Sequence, residues 1–196
     1  LAPGESSALI LPLEGVRGQQ MEIRLKTAGD CFGWDDGLAA PLPKTRPLTV
    51  AWFADKPDPF TELALSALIE NGRIEMRKGD PKAWPPKDQP DVYVFENWLP
   101  KELPTERPVI ALVPQSSSGP LQARAIKSIP HDSVRSVQPD HPLLFRASSS
   151  RIAVTQTTLL KLPASVEPLW FAGNEPVLAA GEFNGQRLVV TAFSPS

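Results

Sequence analysis

The chain has 196 residues, 41% of them hydrophobic, which is enough for a real core and for one ordinary domain or one plus a partial second. Its formal net charge is -2, with Lys and Arg scattered rather than clustered, so a nucleic-acid partner is not expected. Cys31 is the sole cysteine, which excludes an internal disulfide and a CxxC metal pair, and no run approaches the roughly 20 apolar residues of a membrane span.

The opening LAPGESSALI lacks the basic-then-apolar pattern of a secretion signal. It also lacks an initiator Met, and the chain stops abruptly after LVVTAFSPS, so a piece of a longer protein is expected. SALILPLEG and QQMEIRLKTAG alternate apolar and polar residues and read as an antiparallel pair, with GLAAPLP as a third strand. Residues 1–46 are therefore read as a β segment, the remnant of an immunoglobulin-like sandwich.

From Pro47 the pattern changes to strand and helix. LTVAWFAD reads as a strand, and PDPFTELALSALIENG as a helix with Phe60, Leu63, Ala64, Ala67 and Leu68 on one stripe. Asp58 is its N-cap, Pro59 its first residue, and Asn71-Gly72 its stop. RIEMRKG, DVYVFEN and RPVIALVP follow as strands, and the strand-helix-strand order implies parallel pairing. LQARAIKSI is read as a short helix, and HPLLFRA as a strand or turn. IAVTQTTLLKL, EPLWFAG, EPVLAAGEF and RLVVTAF are four closing strands, the last two joined by an Asn184-Gly185 hairpin. The 23 prolines, about 12% of the chain against a usual 5% or so, punctuate these runs and leave room for few long helices.

DVYVFENW, Asp91 to Trp98, and PVIALVPQ, Pro108 to Gln115, resemble two phrases of the class I glutamine amidotransferase-like domain. Those phrases are of the types D-h-h-h-h-x-G-G and P-h-h-G-h-C-x-G, where h is apolar and the cysteine is the nucleophile. The resemblance implies an α/β, flavodoxin-like fold over residues 47–196: a mostly parallel sheet with helices on both faces and an antiparallel C-terminal extension. Position by position, Asn97 and Trp98 stand at the paired glycines, Ala111 at the first elbow glycine, Val113 at the cysteine and Gln115 at the last glycine. Glycine permits positive φ and close approach to an oxyanion, and cysteine supplies a thiolate; valine supplies neither.

LAPGES, GDCFGWDDGLAAPLP, RPLTVAWF, HPLL and EPVLAAGEFNGQRLVVTAF look like the extracytoplasmic region of bacterial membrane proteins related to the BatA aerotolerance group. This resemblance implies a place on the periplasmic side of an inner membrane, anchored by segments outside this sequence. Gly37 follows Asp36 where that group has Asn, and no D-x-S-x-S motif of a von Willebrand domain occurs.

Several residues invite a chemical reading. Asp30, Asp35 and Asp36 lack EF-hand spacing and read as a capped turn, and Cys31 as a buried thiol. Ser117 in PQSSSGP, with His131 or His141, is the weak candidate for a hydrolytic pair, against loop polarity for the serines and a structural hydrogen bond for His141. Two histidines do not make a metal site, and no cofactor is expected. Glu96, Asn97 and Trp98, at the carboxyl end of a strand, are the candidate ligand-binding group, and Trp84 and Trp98 the candidate contact surface. Trp52 and Trp170 read as core. The expected function is a non-catalytic interaction or scaffolding module of a larger membrane protein, whose partner is another protein or the rest of the parent chain. A Ser-His hydrolase and a glycan- or peptide-binding module are the alternatives.

Overall fold

The apolar runs between prolines become strands whose side chains alternate between the two faces of a sheet. The computed structural model describes residues 20–24, 37–41, 46–145, 147–149 and 152–193, with backbone alone for 130–133. It divides into two units, Leu1–Arg46 and Pro47–Ser196. In the first, β1 (Gln20–Arg24) pairs antiparallel with β2 (Gly37–Pro41), Gln20 opposite Pro41. The SALILPLEG strand, Cys31 and the Asp30, Asp35 and Asp36 turn lie outside the described residues.

The second unit runs β3 (Leu48–Ala54), α1 (Pro59–Glu70), β4 (Ile74–Gly79), β5 (Val92–Glu96), β6 (Val109–Leu112) and β7 (Gln122–Ser133). It continues with β8 (Arg135–Ser136), β9 (Ala153–Lys161), β10 (Val166–Ala172), β11 (Glu175–Phe183) and β12 (Gln186–Thr191). Eight of these form one mixed sheet in the order β4-β3-β5-β6-β12-β11-β10-β8. Pairing is parallel from β4 to β12 and antiparallel from β12 to β8. Asn184 and Gly185 at φ 51° and 77° close the β11–β12 turn, as that dipeptide favours.

The expected flavodoxin-like α/β arrangement, with helices on both faces, does not occur. The unit is mostly β, and α1 is the one α-helix among the described residues. On its side, Val50, Trp52, Ile74 and Val94 form a cluster that receives Leu65 from the helix. On the opposite side, Ala51, Phe53, Tyr93, Phe95, Val109 and Ala111 are covered by the loops after β4 and β5, which contribute Trp84, Trp98, Leu99 and Leu103. These loops carry Pro81, Pro85, Pro86, Pro90, Pro100 and Pro104, and their density of proline is the reason that no α-helix, only a single 3-10 turn at Pro81–Ala83, forms there. Aromatic edges substitute for the missing helix: the Trp84 ring centroid lies 5.1 Å from Phe53 and 5.2 Å from Phe95, and Trp98 lies 5.7 Å from Phe95.

One smaller reading is also corrected, and another resolves to one of its two alternatives. LQARAIKSI is strand, not helix: β7 pairs antiparallel with β9, Gln122 opposite Lys161, and this long-range ladder outweighs local helix propensity. That ribbon packs over β10 and β11, with Val154 in one cluster with Leu169, Trp170 and Val177. HPLL forms a single 3-10 turn, Pro142–Leu144. The ends of α1 follow the sequence, with the Asp58 side chain accepting from Phe60 N–H and Gly72 at φ 65°. Its apolar stripe, however, faces outward. Phe60, Leu63 and Leu68 are 54%, 68% and 40% exposed, while Thr61 and Leu65 meet the sheet. No helix among the described residues is long and apolar enough to cross a membrane.

Phe95, with no exposed surface, sits at the centre of the aromatic cluster. Phe95→Ala is expected to lower unfolding free energy by about 3–5 kcal/mol in urea titrations, and exposed Phe60→Ala by no more than about 0.5 kcal/mol.

Candidate functional site

Strand alternation decides what stands at the end of β5. Phe95 points to the loop-covered face, so Glu96 points to the helix face with Trp52 and Val94 and is only 1% exposed. Its carboxylate is buried among apolar groups and is therefore held by donors. Trp52 Nε1–H donates to Oε2 at 3.1 Å, Asp58 N–H donates to Oε1 at 3.3 Å, and the Thr61 side chain adds a further hydrogen bond. Asp58 and Thr61 belong to the start of α1, where the helix dipole favours an anion. Burial pushes the Glu96 carboxyl above its ordinary range, an effect opposed by the bonds from Thr61, Asp58 N–H and Trp52 and reinforced by the Asp58 charge.

The two motif phrases meet beside it. Asn97, at φ 56°, donates from Nδ2 to Lys56 O at 2.7 Å and from its amide to Leu112 O at 3.0 Å, and accepts from Gln115 Nε2 at 3.2 Å. Val113 follows β6 at φ 46°, with its N–H donating to Thr191 O at 2.8 Å. A β-branched residue is strained in that left-handed region, whereas asparagine tolerates it. Thus two of the positions matched to amidotransferase glycine and cysteine are the two where the backbone turns left-handed at these strand ends.

Between α1 and the ends of β5, β6 and β12 lies a cavity of about 340 Å³. Phe60, Ala64, Leu65, Leu112, Val113 and Phe193 give it apolar walls. Asp58, Thr61, Glu96, Asn97 and Thr191 give it polar groups. Val113 also borders a smaller cavity of about 120 Å³ lined by Ile126, Gln156, Thr157 and Thr158.

The other candidates lie elsewhere. Trp98 packs against Phe53, Trp84 and Phe95 on the opposite face, so the Glu96-Asn97-Trp98 group is split across the sheet. Trp84 and Trp98 are both half-buried in that cluster rather than displayed on the surface. Trp52 and Trp170 are buried. Ser117 Oγ donates to Ala123 O at 3.2 Å and accepts from Ala123 N–H at 3.1 Å, while Ser116 and Ser118 bind the backbone of Leu99 and Lys101. His141 Nδ1 accepts from Leu143 N–H at 3.2 Å and caps the 3-10 turn. The His131 side chain lies outside the described atoms. No cluster of three or more metal-ligating side chains occurs among the described residues.

No protein-family model matches the chain, and no curated protein matches it. Solved structures do. A cytoplasmic protein of Salmonella typhimurium LT2 aligns with a TM-score of 0.57 at 11% identity, over 76% of this chain and 90% of its own. A second cytoplasmic protein of Salmonella typhimurium aligns at 0.54 and 11% identity, over 91% of this chain and 87% of its own. A Thermoplasma acidophilum protein described as a GMP synthase component aligns at 0.47 and 11% identity, over 76% of this chain and 84% of its own. The first two likenesses are of fold alone. The third, with a TM-score under 0.5, carries no argument about fold.

Sequence reading reached Glu96 and Asn97 but missed Thr61, Leu65, Thr191 and Phe193. For Thr61 a signal existed, since a hydroxyl in the first turn of α1 stands where a strand-end carboxylate finds a donor. Thr191 and Phe193 carried none, because they reach the cavity through the long-range pairing of β12 with β6.

Two measurements probe this arrangement. A carboxyl whose pKa is higher folded than unfolded favours folding at low pH and loses that contribution as pH rises from its ordinary 4.5 through the folded value. The stability of wild type relative to Glu96→Gln should therefore fall as pH rises through that window, read from urea midpoints; a flat difference would count against the burial of Glu96. Val113→Gly should stay within about 1 kcal/mol of wild type, because relief of the left-handed strain offsets lost contacts. By contrast, Val109→Gly, at a site 1% exposed, should cost about 3 kcal/mol or more.

Proposed function

We propose that this chain is a non-catalytic interaction module of a larger bacterial membrane protein, and that it binds through the cavity between α1 and the ends of β5, β6 and β12. The observation that carries this reading is a 340 Å³ apolar-walled cavity with a few convergent polar groups, bordered by Val113 where the resembled family has its nucleophile. Cavity and strand ends coincide, as ligand sites do in sheets with parallel strands. The bound group belongs to another protein or to the rest of the parent chain. A peptide suits the site better than a glycan, because Trp84 and Trp98, the candidate glycan-stacking rings of the sequence, pack inward on the other face of the sheet. The hydrolase alternative finds little support, since the Ser117 hydroxyl is occupied by Ala123 and His141 by Leu143.

The periplasmic placement rests on the sequence resemblance to the BatA-related group. The Salmonella proteins of similar fold are described as cytoplasmic, and at 11% identity no location carries over from them.

A titration with the neutral dye N-phenyl-1-naphthylamine tests the cavity. Its fluorescence should report saturable binding that Ala64→Phe, which fills one wall, weakens about tenfold. Glutamine and p-nitrophenyl acetate should be turned over no faster than by buffer. Dye binding indifferent to Ala64→Phe would remove the site, and turnover lost on Ser117→Ala or Cys31→Ala would replace the module with an enzyme.

A further inference from the structure

Resting on that reading, we infer that the cavity takes a hydrophobic monocation, an ammonium or guanidinium on an apolar body, with Asp58 and Glu96 as its anionic end. Asp58 and Glu96 are the ionisable side chains that line it, and both are acids; Lys, Arg and His are missing from its lining residues. The α1 N-terminus contributes about half a positive charge, which is less than the two carboxylates supply. The wall opposite is apolar and includes the rings of Phe60 and Phe193, surfaces that accept a cation's face or its hydrocarbon stem. Glu96 has acceptor capacity left. Two carboxylate oxygens offer about four lone-pair sites, and Trp52, Asp58 N–H and Thr61 use three. The 340 Å³ volume lies at the lower end of ligand pockets, which run from about 300 to 1,000 Å³, so the body is small, on the scale of one long side chain or an arylalkyl amine.

The same chemistry can arrive as a free amine or as a Lys or Arg side chain flanked by apolar residues. The molecule favours the second source. Phe60 and Ala64 belong both to the cavity wall and to the outward stripe of α1, which continues through exposed Leu63 and Leu68. The charged side chains of the helix are Glu62, which pairs with Lys78 of β4, and Glu70, so a cation borne on an apolar segment meets an acidic group at the C-terminal end of the stripe.

Three nearly isosteric probes separate the terms: 2-phenylethylamine, 2-phenylethanol and phenylacetate, titrated calorimetrically into the whole chain. The amine should bind about tenfold more tightly than the alcohol, and the carboxylate more weakly than either. Asp58→Asn keeps a competent N-cap, so the helix survives, and it should narrow the amine-to-alcohol affinity ratio several-fold. Glu96→Gln should narrow the same ratio, which is read within each variant because the substitution also alters the hydrogen bonds that seat α1. Equal binding of amine and alcohol, tighter binding of the carboxylate, or a gap that survives both substitutions would overturn the inference. If the neutral dye still binds in those cases, the cavity stands and only its charge preference is lost; if the dye fails too, the cavity reading falls with it. A second arm uses acetyl-Leu-Lys-Leu-amide and its Glu-centred counterpart. The Lys peptide should outbind 2-phenylethylamine and be weakened several-fold by Leu63→Ser, which leaves the free amine unaffected; a peptide no tighter than the amine assigns the site to free amines.

Discussion

The buried carboxyl of Glu96 is the constraint on which the site depends. An unpaired carboxylate in that apolar layer would cost several kcal/mol, so each donor that meets it is fixed in place by the need to do so. Trp52 brings β3, the Asp58 amide and the Thr61 hydroxyl bring the first turn of α1, and Glu96 itself ends β5. One side chain thereby sets the distance and orientation of the helix start over the strand ends. The cavity is the space left beside that junction. Its apolar walls and acidic end follow from the same arrangement, since the helix that supplies Phe60 and Leu65 is the helix that the carboxylate anchors.

The opposite face solves a different problem with different material. A sheet buried on both faces needs two covers, and among the described residues one of them comes from an α-helix. Proline limits the loops after β4 and β5 to a single 3-10 turn at Pro81–Ala83, so Trp84, Trp98, Leu99 and Leu103 descend from largely irregular backbone to close the face, the tryptophans with ring edges. Local hydrogen bonds hold that backbone: Ser116 binds both the amide and carbonyl of Leu99, and Ser118 binds the carbonyl of Lys101. The serine run that suggests hydrolytic chemistry in the sequence is thus part of how this cover is tied to the strand ends.

The ends of β5 and β6 are shaped by the backbone at Asn97 and Val113. Both turn left-handed, both lie at parallel strand ends, and Gln115 hydrogen-bonds Asn97 across the gap between the phrases. Strain held at Val113 is consistent with a constraint stronger than the residue's own preference, which here is the pairing of its N–H with Thr191.

What the sequence determined by itself was local. Alternating apolar runs specified the strands from β3 to β6 and from β9 to β12, Asp58 and Pro59 the start of α1, Asn184-Gly185 the last hairpin, and Glu96 and Asn97 a polar strand end. Each of these rests on interactions within a few residues, so spacing suffices to read them. Tertiary structure decided the rest. Nothing near LQARAIKSI announces β9 as a partner, and that ladder made it a strand. The stripe of α1 has the right period to be buried, yet the hydrogen bonds of Glu96 orient the helix so that Thr61 and Leu65 meet the sheet and Leu63 faces outward. Trp98 follows Glu96 and Asn97 in sequence but was sent to the other face by the left-handed turn at Asn97. The cavity walls from Thr191 and Phe193 depend on β12 crossing back beside β6, a contact between distant segments that no local pattern encodes.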